Sequence, residues 1–280
     1  METSSSGYWK MESSAKQELL TEAITANELI SQLGRLLVTP ERGIVLEVHC
    51  SLKSIGYIVG GAQTLVDALI KSLGHDGTLV MPFQCGDNTE PAFWQLPPLD
   101  RSLWEKIRQN MPAYSPQSSE PRGMSEAYMN LSRRAGCYAS NHPTSSFLAY
   151  GKYGKLITNK QDLDFPLGEE SPLSTMYELP SYILLIGVGY DNCTAMHLGE
   201  CRSNTRPVIL QGSAINENGY RRWKKYLDYD MDSSIFPEIG KKMEDDGLVS
   251  KGFLGHSLCR IFRFRDAVDY ARDFFIEREG

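Results

Sequence analysis

Apolar and polar positions follow two periods along this chain. Across residues 16–37, Leu19, Leu20, Ala23, Ile24, Leu29, Ile30 and Leu33 recur near every 3.6 residues, which predicts helical segments. Thr25, with Glu28 three positions on, carries a capping-box signature for the second segment. Residues 43–49 (Gly-Ile-Val-Leu-Glu-Val-His) are short, β-branched and mostly apolar, and they end on polar residues. A buried parallel strand reads this way, and chemistry in α/β proteins sits at its C-terminal edge. Residues 51–61 then form a loop with Gly56, Gly60 and Gly61, followed by an amphipathic helical pattern over 62–73 and a second strand over 77–82. Strand, glycine loop, helix and strand make a right-handed crossover, so the fold class is α/β, with a mostly parallel central sheet flanked by helices.

Residues 83–121 contain Trp94, Trp104, Asn88, Asp100 and scattered prolines. They predict a long irregular insertion with helical patches, forming part of the active-site wall. A helix is expected over 124–133, an extended piece ending at His142-Pro143, a helical pattern over 146–156 and a buried strand over 182–188. Residues 194–202 suit a helix, and 267–277 an amphipathic one. The Ser-rich residues 1–14 read as a flexible tail, leaving 15–280 as a single domain.

Composition narrows the function classes. At 41% hydrophobic and 23% charged residues, the 280-residue chain can bury a sizeable core, which excludes wholesale disorder. A net charge of −6 argues against general nucleic-acid binding. Residues 182–188, the most apolar run, are too short to span a bilayer, and no basic segment leads into an apolar one, so a cytoplasmic protein is expected. The six cysteines, Cys50, Cys85, Cys137, Cys193, Cys201 and Cys259, lack a CxxC pair and read as reduced thiols. With no HExxH and no clustered Cys and His, a bound metal is not expected.

Gly187-Val188-Gly189 after a strand suggests a dinucleotide loop, but Asn192 stands where the third glycine belongs, so a tight turn is the better reading. The stretch 191–200 is denser in chemistry. On a helix, Thr194, His197 and Glu200 share one face, which brings imidazole and carboxylate together as a general base and its orienting group. Cys193, four residues before His197, offers a thiolate alternative. His142 lies before a proline in what reads as a structural turn, His49 at a strand end, and His75 and His256 beside glycines in exposed turns.

Several blocks occur together and in order. They are His49-Cys50-Ser51-Leu52-Lys53-Ser54-Ile55-Gly56 with Gly60-Gly61, residues 77–82, Asn141-His142-Pro143 to Ser146, residues 167–173, Gly187-Val188-Gly189 through Thr194, His197 and Glu200, and Arg206-Pro207-Val208-Ile209. From about Lys16 onward the chain resembles the aminoglycoside 3-N-acetyltransferase family. The resemblance implies a fold unlike that of the GNAT acetyltransferases, and transfer of acetyl from acetyl-coenzyme A to an amine, typically the 3-amino group of deoxystreptamine. It further implies that His197 and Glu200 form the active base and that Thr194 or backbone N–H groups stabilise the oxyanion. His49, Ser51, Leu52, Lys53, Ser54, Gly60, Gly61, Met81 and His142 would contact the cofactor. A glycine loop feeding a helix N-terminus suits a diphosphate, with Lys53 adding charge. Glu90, Asp87, Asp100, Glu120, Glu169 and Glu170 would offer acidic walls to a polycation. The acceptor is then a small-molecule amine, and a homodimer is compatible with the resemblance.

Two positions depart from the family pattern. Gln161 stands where many members have histidine, and Ala139 where many have arginine before the His-Pro block. The alternatives to a working transferase are therefore a coenzyme A-binding homologue with weak or different acceptor activity, and a Cys193–His197 acyl-enzyme hydrolase.

Overall fold

Thr25 closes the first turn of helix α1 (Ala26–Leu36) as its capping box requires: Glu28 N–H donates to Thr25 Oγ1, and Thr25 N–H to Glu28 Oε2 at 2.8 Å. This computed structural model describes residues 21–279 apart from 96, 120, 122 and 123, so the expected tail and the start of the first helical pattern lie outside the described residues. Strand β1 (Val45–Cys50) is buried at every position. Its alternate side chains feed two cores: Leu46, Val48 and Cys50 pack beneath α1, while Val45 joins a second cluster on the opposite face.

A four-residue turn of helix, α2 (Leu52–Ile55), and the longer α3 (Gly61–Leu73) carry the chain over to β2 (Thr78–Gln84), parallel to β1. Gly60 caps α3 at φ +83°, a left-handed conformation in which a Cβ would also run into Thr64 Oγ1. Helices α4 (Arg101–Asn110) and α5 (Glu126–Ser132) follow, then strands β3 (Cys137–Ala139) and β4 (Ser145–Gly151), and helices α6 (Gly154–Thr158) and α7 (Pro172–Tyr177). Strand β5 (Ser181–Ile186) returns to the far side of β1, in parallel register from Val45↔Ser181 to Cys50↔Ile186. After α8 (Met196–Ser203) come the hairpin β6 (Val208–Glu217) and β7 (Tyr220–Tyr229), α9 (Phe236–Asp245), β8 (Ser250–Leu254), β9 (Ser257–Arg263) and α10 (Phe264–Glu279).

The seven-stranded sheet runs β3-β4-β2-β1-β5-β9-β8. The α/β class holds, with helices on both faces. Parallel pairing occupies the centre, β2-β1-β5, and antiparallel strands extend it on both sides. Where residues 146–156 predict a helix, the chain instead forms β4 and then the short α6. Phe147, Leu148 and Ala149 are all buried, Leu148 in one core and its two neighbours in the other, the alternation of a strand between two cores. The β6–β7 hairpin, for which no strand was expected, turns at Asn218-Gly219, both at positive φ (54° and 84°), the turn chemistry of a two-residue hairpin. The insertion is joined to this hairpin at two points: Tyr114 N–H donates to Ala214 O at 3.0 Å, and Asn88 exchanges two hydrogen bonds with the Ala214 backbone.

Helix α8 is clamped beneath α10. At Gly199 the two helices approach so closely that a Cβ would meet Val268 O, Ala271 Cβ and Arg272 N, two of them backbone atoms that cannot swing aside. Gly199→Ala is therefore expected to lower the unfolding free energy by about 1–3 kcal/mol in urea denaturation, as overpacking of a filled interior does. An unchanged midpoint would show that the helices are free to separate.

Candidate active site

The C-terminal ends of the three parallel strands open onto one cavity of about 1120 Å³. His49, Cys50 and Ser51 enter it from the end of β1, Pro82 and Gln84 from β2, and Val188 from just beyond β5. Leu52 and Lys53 of α2, Gly60 and Gly61 at the start of α3, and Ser125 and Glu126 at the start of α5 form one side. Asp191, Asn192, Thr194 and His197 form the other. The irregular insertion was expected to form part of this wall, but Gln84 is the last residue of β2, Met124 follows the insertion, and no described residue of 85–121 lines the cavity, because that segment is held against the β6–β7 hairpin instead.

His197 and Glu200 meet across one turn of α8, with Nδ1 2.7 Å from Oε2. Glu200 is wholly buried, while the His197 side chain keeps 16% exposure where it faces the cavity. An ionised carboxylate only accepts hydrogen bonds, so the ring donates Nδ1–H to it, and Nε2 is left able to accept a hydrogen bond or a proton from a bound molecule. The other carboxylate oxygen, Oε1, accepts the Asp232 N–H at 2.9 Å and lies 3.0 Å from Arg206 Nε. The Phe236 ring packs on the imidazole at a centroid distance of 4.7 Å. Arg206, Asp232 and Phe236 went unnoticed as supports for this pair, because nothing in their spacing from residue 200 marks them. Nearby, burial pushes the Asp228 carboxyl up to about 7, helped by the negative charge of Glu200.

The site residues expected from the sequence separate into two groups. His49, Ser51, Leu52, Lys53, Gly60, Gly61, Thr194 and His197 line the cavity, with Glu200 directly behind His197. Ser54, Met81 and His142 do not line it. Ser54 Oγ donates to Ser51 O at 2.7 Å and meets Ser257 Oγ at 2.8 Å, bracing the turn from behind. Met81 is fully buried in the first core. His142 is also fully buried: its Nδ1 accepts the Thr144 and Ser145 N–H groups at 3.3 and 3.1 Å, and Nε2 faces Leu163 O at 3.2 Å. Cys193 lies in the second core, where burial holds its thiol well above the ordinary range, so it supplies no thiolate to His197.

The model of the family described as aminoglycoside 3-N-acetyltransferase matches residues 48–276. The chain belongs to that family. Among its relatives, an SPbeta prophage-derived aminoglycoside N(3')-acetyltransferase-like protein, YokD of Bacillus subtilis, is 37% identical over 241 residues, covering 86% of this chain and 89% of that protein. The crystal structure of YokD superposes with a TM-score of 0.88 at 36% identity, over 92% of this chain and 95% of the other. Aminoglycoside N(3)-acetyltransferase VIII of Streptomyces fradiae is 28% identical over 95% of this chain and 97% of its own length. A variant of aminoglycoside acetyltransferase AAC(3)-IVa, solved in complex with a gentamicin, matches at 27% identity and a TM-score of 0.77, over 94% of this chain and 92% of that one.

For a member of this acyltransferase family, the two departures take on structural meaning. Gln161 accepts from Ser140 Oγ at 2.6 Å and donates to Ser145 O and Pro166 O at 2.7 and 2.8 Å. It stitches its own loop to β4, a task of three hydrogen bonds that imidazole, with two ring nitrogens, cannot reproduce. Ala139 ends β3 opposite Leu148. The acids expected to wall an acceptor site are largely engaged elsewhere. Glu90 holds Arg108, Glu169 pairs with Arg202 at 2.7 and 3.0 Å, Glu170 holds Lys160, and Asp100 caps α4. Glu120 lies outside the described residues, and Asp191 and Glu126 are the acids on the cavity itself.

Burial holds the His142 imidazole down to about 4. The folded state therefore binds this proton less readily than the unfolded chain, whose histidine titrates near 6.5. The stability His142 contributes is complete above about pH 6.5 and is lost as pH falls towards 4, on the order of 3 kcal/mol. Subtracting the pH–stability curve of His142→Asn from that of the wild type should isolate this loss in thermal unfolding. Parallel curves would mean that the residue is not buried as described.

Proposed function

We propose that this chain transfers acetyl from acetyl-coenzyme A to an amine of an aminoglycoside, at the 3-amino group of deoxystreptamine, with His197 as general base. The observation that carries this reading is the 2.7 Å contact between His197 Nδ1 and the buried Glu200, at the wall of the cavity that the glycine loop also lines. The acceptor amine attacks the thioester carbonyl carbon, so a C–N bond forms as the C–S bond breaks. His197 Nε2 takes the proton that the amine sheds and returns it to the departing sulfur, leaving free coenzyme A. Thr194, which also lines the cavity, is assigned to the oxyanion.

The diphosphate is assigned to the loop between α2 and α3. Helix α3 begins at a glycine that brings no capping side chain, so its first-turn N–H groups suit phosphate oxygens, and Lys53 stands on the same wall. The gentamicin complex of the AAC(3)-IVa variant supports an aminoglycoside acceptor. Asp191 and Glu126 supply local negative charge for such a polycation.

A thiol-release assay with acetyl-coenzyme A against a panel of aminoglycosides and simple amines tests the assignment. His197→Ala and Glu200→Gln are each expected to lower turnover by roughly 100-fold or more, and the double variant little further, as members of one unit do. A double variant as active as wild type would end the mechanism. Gly60→Asp, which adds a Cβ and a negative charge at the phosphate loop, should weaken acetyl-coenzyme A binding in calorimetric titration. Unchanged affinity would move the diphosphate elsewhere, and binding without turnover on any acceptor would favour a coenzyme A-binding homologue.

A further inference from the structure

A second carboxylate and imidazole meet at the floor of the same cavity. Glu47 sits in the middle of β1 with its side chain wholly buried, and Oε1 lies 3.3 Å from Nε2 of His49, whose side chain is 5% exposed. Among the described residues, neither oxygen of Glu47, nor Nε2 of His49, has a hydrogen-bond partner. Glu200 at the same site has three partners. A carboxylate kept in a strand interior without donors lowers stability, and such strain is retained where a site uses it.

We propose that Glu47 is a positioning residue for the acyl transfer, holding His49 as a proton donor on the cavity floor. This inference rests on the transferase reading. Only the imidazolium carries N–H at both ring nitrogens. With Nε2–H turned to Glu47, Nδ1–H is left for a bound molecule, because His49 lines the cavity. The charge that builds on the thioester oxygen as the amine adds is what such a donor stabilises, and His49 makes and breaks no covalent bond. The other titratable groups whose charge reaches Glu47 are the thiol of Cys193, from the turn before α8, and the phenol of Tyr128, from α5. Burial pushes both upward, so both stay neutral.

The test pairs a resonance with a rate. In protein carrying ¹⁵N-labelled histidine, the His49 signal is identified by its loss in His49→Gln. The wild-type ring signals should show N–H at both nitrogens, and Glu47→Gln should shift them towards those of the singly protonated ring. Turnover in Glu47→Gln should fall roughly tenfold or more with the KM for acetyl-coenzyme A little changed, since a group that acts on the transition state is lost. Glu47→Val should lose turnover similarly while melting above the wild type, because removing a buried charge without donors stabilises the fold. His49 ring signals unmoved by Glu47→Gln, or wild-type turnover in that variant, would overturn the proposal. So would a lower melting temperature, or failure to fold, in both variants, which would make Glu47 structural. Absence of wild-type turnover on every acceptor would count against the transferase reading alone, and the resonance would still decide whether Glu47 controls His49.

Discussion

The site hangs on the burial of Glu200. Removing an ionised carboxylate from water costs several kcal/mol, and the fold tolerates it only where donors meet the lone pairs. Here the donors come from three places in the chain: the imidazole of His197 within α8, the side chain of Arg206 before β6, and the backbone of Asp232 after β7. The carboxylate thereby joins α8 to the two ends of the β6–β7 hairpin. One group sets the tautomer of the base and the position of the segment that packs Phe236 against it.

Strand direction explains where the cavity lies. In β2, β1 and β5 the parallel ladder points all three C-terminal ends to one edge, and the crossover from β1 delivers the start of α3 to that edge. β4 and β9 run the other way, so their C-terminal ends point to the opposite edge. They widen the sheet and cover its cores without competing for the site. The loop before β4 does arrive near the end of β2, and it is occupied by hydrogen bonds of the fold itself: His142, Thr144, Tyr226, Ser213 and Asn88 form a buried polar chain that ties the insertion to the hairpin. A buried network of this kind is satisfied by partners from distant segments, which makes it a structural clamp rather than a binding surface.

Two carboxylate–imidazole pairs therefore border one cavity under opposite electrostatic conditions. Glu200 is saturated with donors, whereas Glu47, in the interior of β1, faces only His49. In the proposed transfer the same pair of functional groups serves as a base where the carboxylate holds one nitrogen and the other is open, and as a proton donor where a carboxylate without other donors faces the ring.

Local chemistry was legible in the sequence wherever it acts over a few residues. The capping box at Thr25 and Glu28, the glycine loop before α3, the apolar runs of β1, β2 and β5, and the i,i+3 pairing of His197 with Glu200 all follow from spacing alone, because helical and strand periods fix which neighbours share a face. The ordered blocks identified the family for the same reason, each being short and contiguous. Residues 146–156 misled because an apolar run bounded by polar residues fits a buried helix as well as a strand, and only a partner strand on each side decides it. Which expected site residues face the cavity was likewise settled by packing: Met81 and His142 carry suitable groups but point into the interior. The sequence by itself determined most of the elements and the His197–Glu200 contact; the tertiary structure decided that residues 146–151 form a strand, which donors reach Glu200, that among the described residues only His49 faces Glu47, and that Gln161 serves a loop, because those contacts join residues whose separation along the chain carries no period to read.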